Sequence, residues 1–171
     1  LVINMATSQK DLEQELAAYD LDAAQYEQAK ARHIDRFSDV MGRLDFVLEG
    51  DEKFSSLPTD ERLRRVKEGE IDNGISALYF DFGRYLLVSS SICGELPANL
   101  QGKWNDSLTP PWNCDYHFDI NLQMNYWMAE PAGMPECAKA LIRYVRSFLD
   151  SGREAAKKLY GCRGIFLPIQ T

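Results

Sequence analysis

The sequence contains no apolar run approaching the roughly 18–20 residues that a membrane-spanning helix needs, so nothing in it reads as a membrane span. No basic stretch leads into a short apolar core, so no signal peptide is visible, and a chain opening on Leu1 inside a strand-like run is expected to have lost its true beginning. There is no CxxC pair. Cys93, Cys114, Cys137 and Cys162 stand more than twenty residues apart, which argues against a structural zinc site and leaves buried free thiols, or one or two disulfides, as the readings. Cations are scarce: 19 Lys and Arg face 26 Asp and Glu, for a formal net charge of −7. Nucleic-acid binding rests on cation–phosphate contacts, so no nucleic-acid partner is expected. Internal repeats and low-complexity tracts are absent as well.

What is present suits one globular domain. The 171 residues are 45% hydrophobic and 26% charged, enough to bury a core while keeping a charged surface. The charge is unevenly placed. From Cys93 to Met134 five carboxylates (Glu95, Asp106, Asp115, Asp119, Glu130) stand with one lysine, Lys103, so a site there would repel anions and accept neutral ligands.

Residues 1–8 are apolar and partly β-branched and read as the last strand of something upstream. From Gln9 to about Gly42, Tyr26, Ala29, His33, Phe37, Val40 and Met41 recur at helical spacing, with His33 on the apolar face and expected in the core. Arg43–Leu48 looks extended, and Gly50–Pro58 is a loop. Thr59 is expected to cap a helix with Asp60 and Glu61 in its first turn. Asp72 or Asn73 opens the next helix, lined on one side by Ile75, Leu78, Tyr79, Phe82, Leu86 and Leu87 and ending at Ser89–Ser91. From Ile92 to about Phe118 neither period persists, and a loop that long in a compact domain is expected to be functional. A short helix at Ile120–Met128 and a long one from Pro135 to Tyr160, stopped by Gly161, complete the pattern.

All three tryptophans, Trp104, Trp112 and Trp127, fall in or just after that loop, with Tyr116, Phe118 and Tyr126 beside them. Asn99, Gln101, Asn105, Asn113, Asn121, Gln123 and Asn125 are interleaved. Flat rings cover the apolar faces of a sugar, and amides donate and accept toward its hydroxyls. The competing reading makes the rings core and the amides turn ties. Composition does not separate the two.

The strings themselves go further. Residues 96–117 read LPANLQGKWNDSLTPPWNCDYH, and 119–127 read DINLQMNYW. With LPTDERL at 57–63, FGRYLLVSSS at 82–91 and LYGCRG at 159–164, these resemble glycoside hydrolase family 95, the α-L-fucosidase family. The resemblance implies an all-α fold, a partial (α/α)6 barrel (six-hairpin toroid) over residues 9–171, with residues 1–8 ending an upstream β-sandwich domain. It implies hydrolysis of terminal α-L-fucosyl, or in some members α-L-galactosyl, residues with inversion, without a cofactor or metal. The implied partners are a neutral oligosaccharide or glycan and the remainder of the parent chain, in a periplasmic or secreted setting. In the family a glutamic acid protonates the leaving group. Two asparagine amides hold the attacking water, and an aspartate polarises it. Both carboxylates are expected downstream of Thr171, so half a barrel on its own is expected to be inactive and either unstable or self-associating.

Where the family reads His-Thr-Asn-Ile-Asn, this chain reads His117-Phe118-Asp119-Ile120-Asn121. Asn121 matches one water-holding amide, while Asp119 replaces the other. A carboxylate can take a proton from water, whereas an amide can only orient it. Asp119 and Asn121 are therefore the catalytic candidates, with Asp119 as general base. A helix cap, or a degenerate site, is the alternative for Asp119. His117, Phe118, Trp104, Trp112, Asn105 and Tyr116 are the substrate-binding candidates, Phe118 adding bulk where the family has a hydroxyl. Asp115, His117 and Asp119 alternate, a spacing that in an extended segment could gather a divalent ion, although the resemblance calls for none. Arg84 beside Asp81 reads as a buried ion pair or loop anchor. A non-catalytic glycan-binding remnant, or a helical interaction module, are the alternative functions.

Overall fold

The computed structural model describes residues 22–171, so the strand expected at 1–8 and the start of the first helix lie outside the described residues. It divides into two compact units, up to Val40 and from Met41 onward. In the first, α1 (Ala23–Met41) opens on a reciprocal cap. The Asp22 carboxylate accepts from Gln25 N–H at 2.8 Å, and the Gln25 side chain accepts from Asp22 N–H at 3.0 Å. His33 is exposed and stacks on Phe37 at 5.8 Å, so the expectation of a core histidine is corrected.

The second unit is also helical. Among the described residues, strand pairing amounts to two isolated bridges, Asn99–Gly102 and His117–Gln170. Its helices are α2 (Thr59–Lys67), α3 (Asn73–Ser91), α4 (Asn121–Tyr126), α5 (Ala138–Ser147) and α6 (Leu149–Tyr160), with 3-10 turns at Asp51–Phe54, Pro111–Cys114 and Pro135–Cys137. Pro58, not Thr59, occupies the cap of α2, and no side chain bonds there. The start is set instead by charge, with Asp60 and Glu61 near the positive end of the helix and Arg64, Arg65 and Lys67 near the negative end. Glu61 takes hydrogen bonds from Arg64 and Arg65, and the Arg64 bond foremost holds its carboxyl down at about 2.

Asp72 caps α3 as expected, accepting from Ile75 N–H at 2.9 Å, and ties α3 to α2 through Arg62. The guanidinium meets both carboxylate oxygens, at 2.8 and 2.7 Å. The apolar stripe anticipated on α3 is only partly inward. Ile75 and Leu87 are buried with Arg84, Val88 and Ser91, while Leu78, Tyr79 and Phe82 are 46%, 79% and 51% exposed. Arg84, 1% exposed, anchors several segments at once. It donates to the carbonyls of Met41, Leu44 and Ala132 and pairs with Asp81 at 3.1 Å.

Leu87, Leu122, Tyr126, Ala132, Met134 and Ala140 are buried in the core beneath the long loop. The loop is fastened from below by Tyr126, whose hydroxyl bonds Ser91 Oγ and accepts from Ala98 N–H, both at 2.7 Å. The long C-terminal helix is interrupted at Phe148 (φ −94°, ψ 4°), which separates α5 from α6. Gly161 ends α6 in the left-handed region, as its position suggested. Gly152 marks a close approach on α6, where a Cβ would lie 3.1 Å from the Phe166 carbonyl. The missing side chain lets residues 165–171 run tightly across α6, with Phe166 N–H donating to Gly152 O at 2.9 Å.

Candidate functional site

The loop turns sharply at residues 111–114. Trp112, Asn113 and Cys114 all take left-handed backbone angles, with φ near 55°. Asparagine tolerates this region, but a bulky tryptophan reaches it only when its surroundings impose it. Several bonds do so. Asn113 N–H donates to Pro110 O and Asp115 N–H to Trp112 O. The Cys114 thiol donates to the Asn99 side-chain oxygen at 3.1 Å. Asn99 is held in turn, its carbonyl accepting from the Asn125 amide at 2.9 Å, so α4 reaches the turn through one residue.

After the turn, Asp115–Phe118 is extended, and alternate side chains face opposite ways. Asp115 and His117 share one side, with His117 Nδ1 3.1 Å from Asp115 Oδ1. The Trp112 ring meets the imidazole edge-on, centroids 5.5 Å apart at 73°. The end of the chain pairs alongside. Phe118 N–H donates to Ile169 O at 2.7 Å, and Tyr116 N–H to Thr171 O at 3.2 Å. Trp112, His117, Phe166, Pro168, Ile169 and Gln170 thereby line an open cleft of about 620 Å³.

Tyr116 and Phe118 point the other way, into a cluster of rings. Tyr116 lies 4.5 Å from Tyr144, and Phe118 stacks on Tyr144 at 6.2 Å and meets Phe148 edge-on at 6.4 Å. Burial pushes the Tyr116 phenol above its ordinary pKa, with Tyr144 adding to the effect. Trp104 stands apart in a second cleft of about 340 Å³, walled by Leu86, Met124 and Met128 and edged by Gln101 and Asn125. Gly102 leaves room for that indole, since a Cβ there would sit 3.1 Å from it. Asn105 is exposed and spends its amide within a turn, donating to Ser107 O at 2.7 Å and accepting from Ser107 N–H at 3.1 Å.

Asp119 and Asn121 are exposed and line neither cleft. The α4 cap position is Ile120, and no side chain bonds there. The structure thus brings Trp112 and His117 together, sets Trp104 in its own cleft, and leaves Asp119 and Asn121 open at the surface. Among the described residues no three His, Cys, Asp or Glu side chains converge as metal ligands. The alternation that set Asp115 and His117 on one side is seen as a direct hydrogen bond between them. Sequence reasoning missed the cleft wall from residues 166–170, for which the apolar run Ile165–Ile169 beyond the Gly161 stop was the available signal.

The helical frame sets aromatic side chains around two clefts along one long connection. The family model of the glycosyl hydrolase family 95 catalytic domain matches residues 25–171, and the chain belongs to that family. It is 38% identical over 143 residues to alpha-L-fucosidase 2 of Arabidopsis thaliana, 81% of this chain and 17% of that protein. It is 37% identical over 137 residues to the probable alpha-fucosidase A of Aspergillus niger, covering 80% and 17%. The probable alpha-fucosidase A of Aspergillus oryzae is 36% identical over 138 residues, covering 79% and 19%. The chain therefore spans less than a fifth of the length of these relatives.

Proposed function

We propose that this chain is the early part of an (α/α)6 catalytic barrel, behind a β-sandwich that ends at residues 1–8, in an inverting glycoside hydrolase of terminal α-L-fucosyl or α-L-galactosyl residues. The observation that carries the reading is the cleft formed by Trp112 and His117 inside the region the family model matches. The indole offers a flat apolar wall and the imidazole a polar edge, the two surfaces an uncharged sugar presents in reverse. The fucosidase relatives favour hydrolysis over a non-catalytic glycan-binding remnant.

In this reading Asp119 is the general base and Asn121 orients the water it activates. The Asp119 carboxylate is exposed, makes no hydrogen bond among the described residues and lines neither cleft, so its assignment rests on its place in the motif. The general acid comes from the rest of the barrel, about 6.5–9.5 Å away, as inversion requires. Trp104 offers a second ring in its own cleft, and Phe118 and Tyr116 stiffen the wall of the first from behind.

The test is Asp119→Asn in the full-length protein, assayed on aryl α-L-fucosides and α-L-galactosides, with the first-formed anomer read by NMR. Loss of a general base lowers kcat by about 100-fold or more. Retention of activity within a few-fold would remove Asp119 from that role. A retained anomeric configuration would overturn inversion.

A further inference from the structure

We propose that Asp115 is a positioning residue that fixes the tautomer of His117, holding the proton on Nδ1 so that Nε2 faces the cleft as an acceptor for a substrate hydroxyl. The inference rests on reading the cleft as a sugar-binding wall, and it adds the feature that would give that wall a preference among hydroxyls.

The two side chains are 16% and 14% exposed, with Asp115 Oδ1 3.1 Å from His117 Nδ1. An ionised carboxylate only accepts, so a neutral imidazole beside it must carry its proton on the facing nitrogen. The other ring nitrogen has no hydrogen bond among the described residues, although its ring lines the cleft. The ring cannot readily swing away. Trp112 packs against it edge-on at 5.5 Å, and the backbone around it is tied on both sides. Leu100 N–H donates to Asp115 O at 3.1 Å, and Leu122 N–H to His117 O at 2.8 Å. Residues 116 and 118 are pinned to the end of the chain. Rotating the imidazole by half a turn would set a C–H against the carboxylate, so the pair has one satisfied arrangement.

An acceptor at Nε2 takes a hydroxyl only through that hydroxyl's own proton. A sugar with the contacted hydroxyl free is bound, and one with it methylated or removed is disfavoured. The tautomer therefore contributes to selectivity as well as affinity.

The experiment uses the full-length protein with an aryl α-L-fucoside, comparing Asp115→Asn, Asp115→Glu and His117→Ala, and reads the His117 ring by ¹⁵N NMR. Losing a hydrogen bond to a charged partner costs about tenfold or more. We expect Asp115→Asn to raise KM by about that factor with a smaller change in kcat, and Asp115→Glu to recover most of it. In the unsubstituted protein Nδ1 should show a protonated shift and Nε2 an unprotonated one, and Asp115→Asn should mix the two. A His117 ring signal unchanged by Asp115→Asn would overturn the proposal, even if that variant were less stable. If His117→Ala leaves KM untouched, the cleft reading fails. If His117→Ala weakens binding while Asp115→Asn does not, only the positioning role falls.

Discussion

Two carboxylates in this chain each hold a nitrogen base, and they do so in different ways. Asp72 meets Arg62 through both oxygens and also accepts from Ile75 N–H, with only 1% of its side chain exposed. Asp115 meets His117 through one oxygen, and that ring lines a cleft. The first arrangement joins α2 to α3 and caps a helix, so its bonding capacity goes into the frame. The second keeps an acceptor in reserve. An acceptor open at a cleft edge can be met by water or by a ligand hydroxyl, whereas a saturated group points to architecture.

The contrast is most exposed to challenge at Asp72. Asp72→Ala in the full-length protein removes the cap and the two-oxygen partner of Arg62, and should cost about 3 kcal/mol, read as a drop in thermal midpoint. Should Asp115→Ala cost as much, the distinction between frame and site would be lost. Tyr126→Phe comes next. It leaves the buried Ala98 N–H without its 2.7 Å acceptor and should cost about 2 kcal/mol, while Trp112 and His117 keep their places. Acid separates the two carboxylates further. The hydrogen bond from Arg62 is the main reason the Asp72 carboxyl lies at about 2, below its ordinary 3.8. Because the folded value is depressed, its stabilisation is complete above the ordinary value and fades as pH falls toward about 2. Stability should slope down across that window in the unsubstituted protein, and the slope should flatten in Asp72→Ala, as followed by unfolding at stepped pH. Smallest of all, Asp115→Ala should move stability by less than about 1 kcal/mol, its effect appearing in KM.

These differences also separate what could be read from the sequence from what could not. The cap at Asp72 and the stop at Gly161 were legible because each depends on a few neighbouring residues. The loop from Ile92 to Phe118 was legible because proline, glycine and asparagine interrupt any period. The inner face of α3 was misjudged, since periodicity locates a stripe but not the element that covers it. Leu78, Tyr79 and Phe82 fit the stripe and yet face outward here. The break at Phe148 was hidden because apolar spacing continues through it. Trp112 and His117, singled out by their motif, line one cleft. The wall from residues 166–170 was not legible, because it depends on Gly152 letting the end of the chain cross α6.

Arg84 sets a practical limit on how this protein can be divided. Its one guanidinium serves carbonyls at positions 41, 44 and 132, so any shorter piece must carry that whole span. A cut between α3 and the segment holding Ala132 would remove one of those carbonyls from a permanent cation and leave it to Asp81 and the carbonyls at 41 and 44. Lysine would not rescue the position, because a single ammonium cannot reach three backbone segments approaching from different directions.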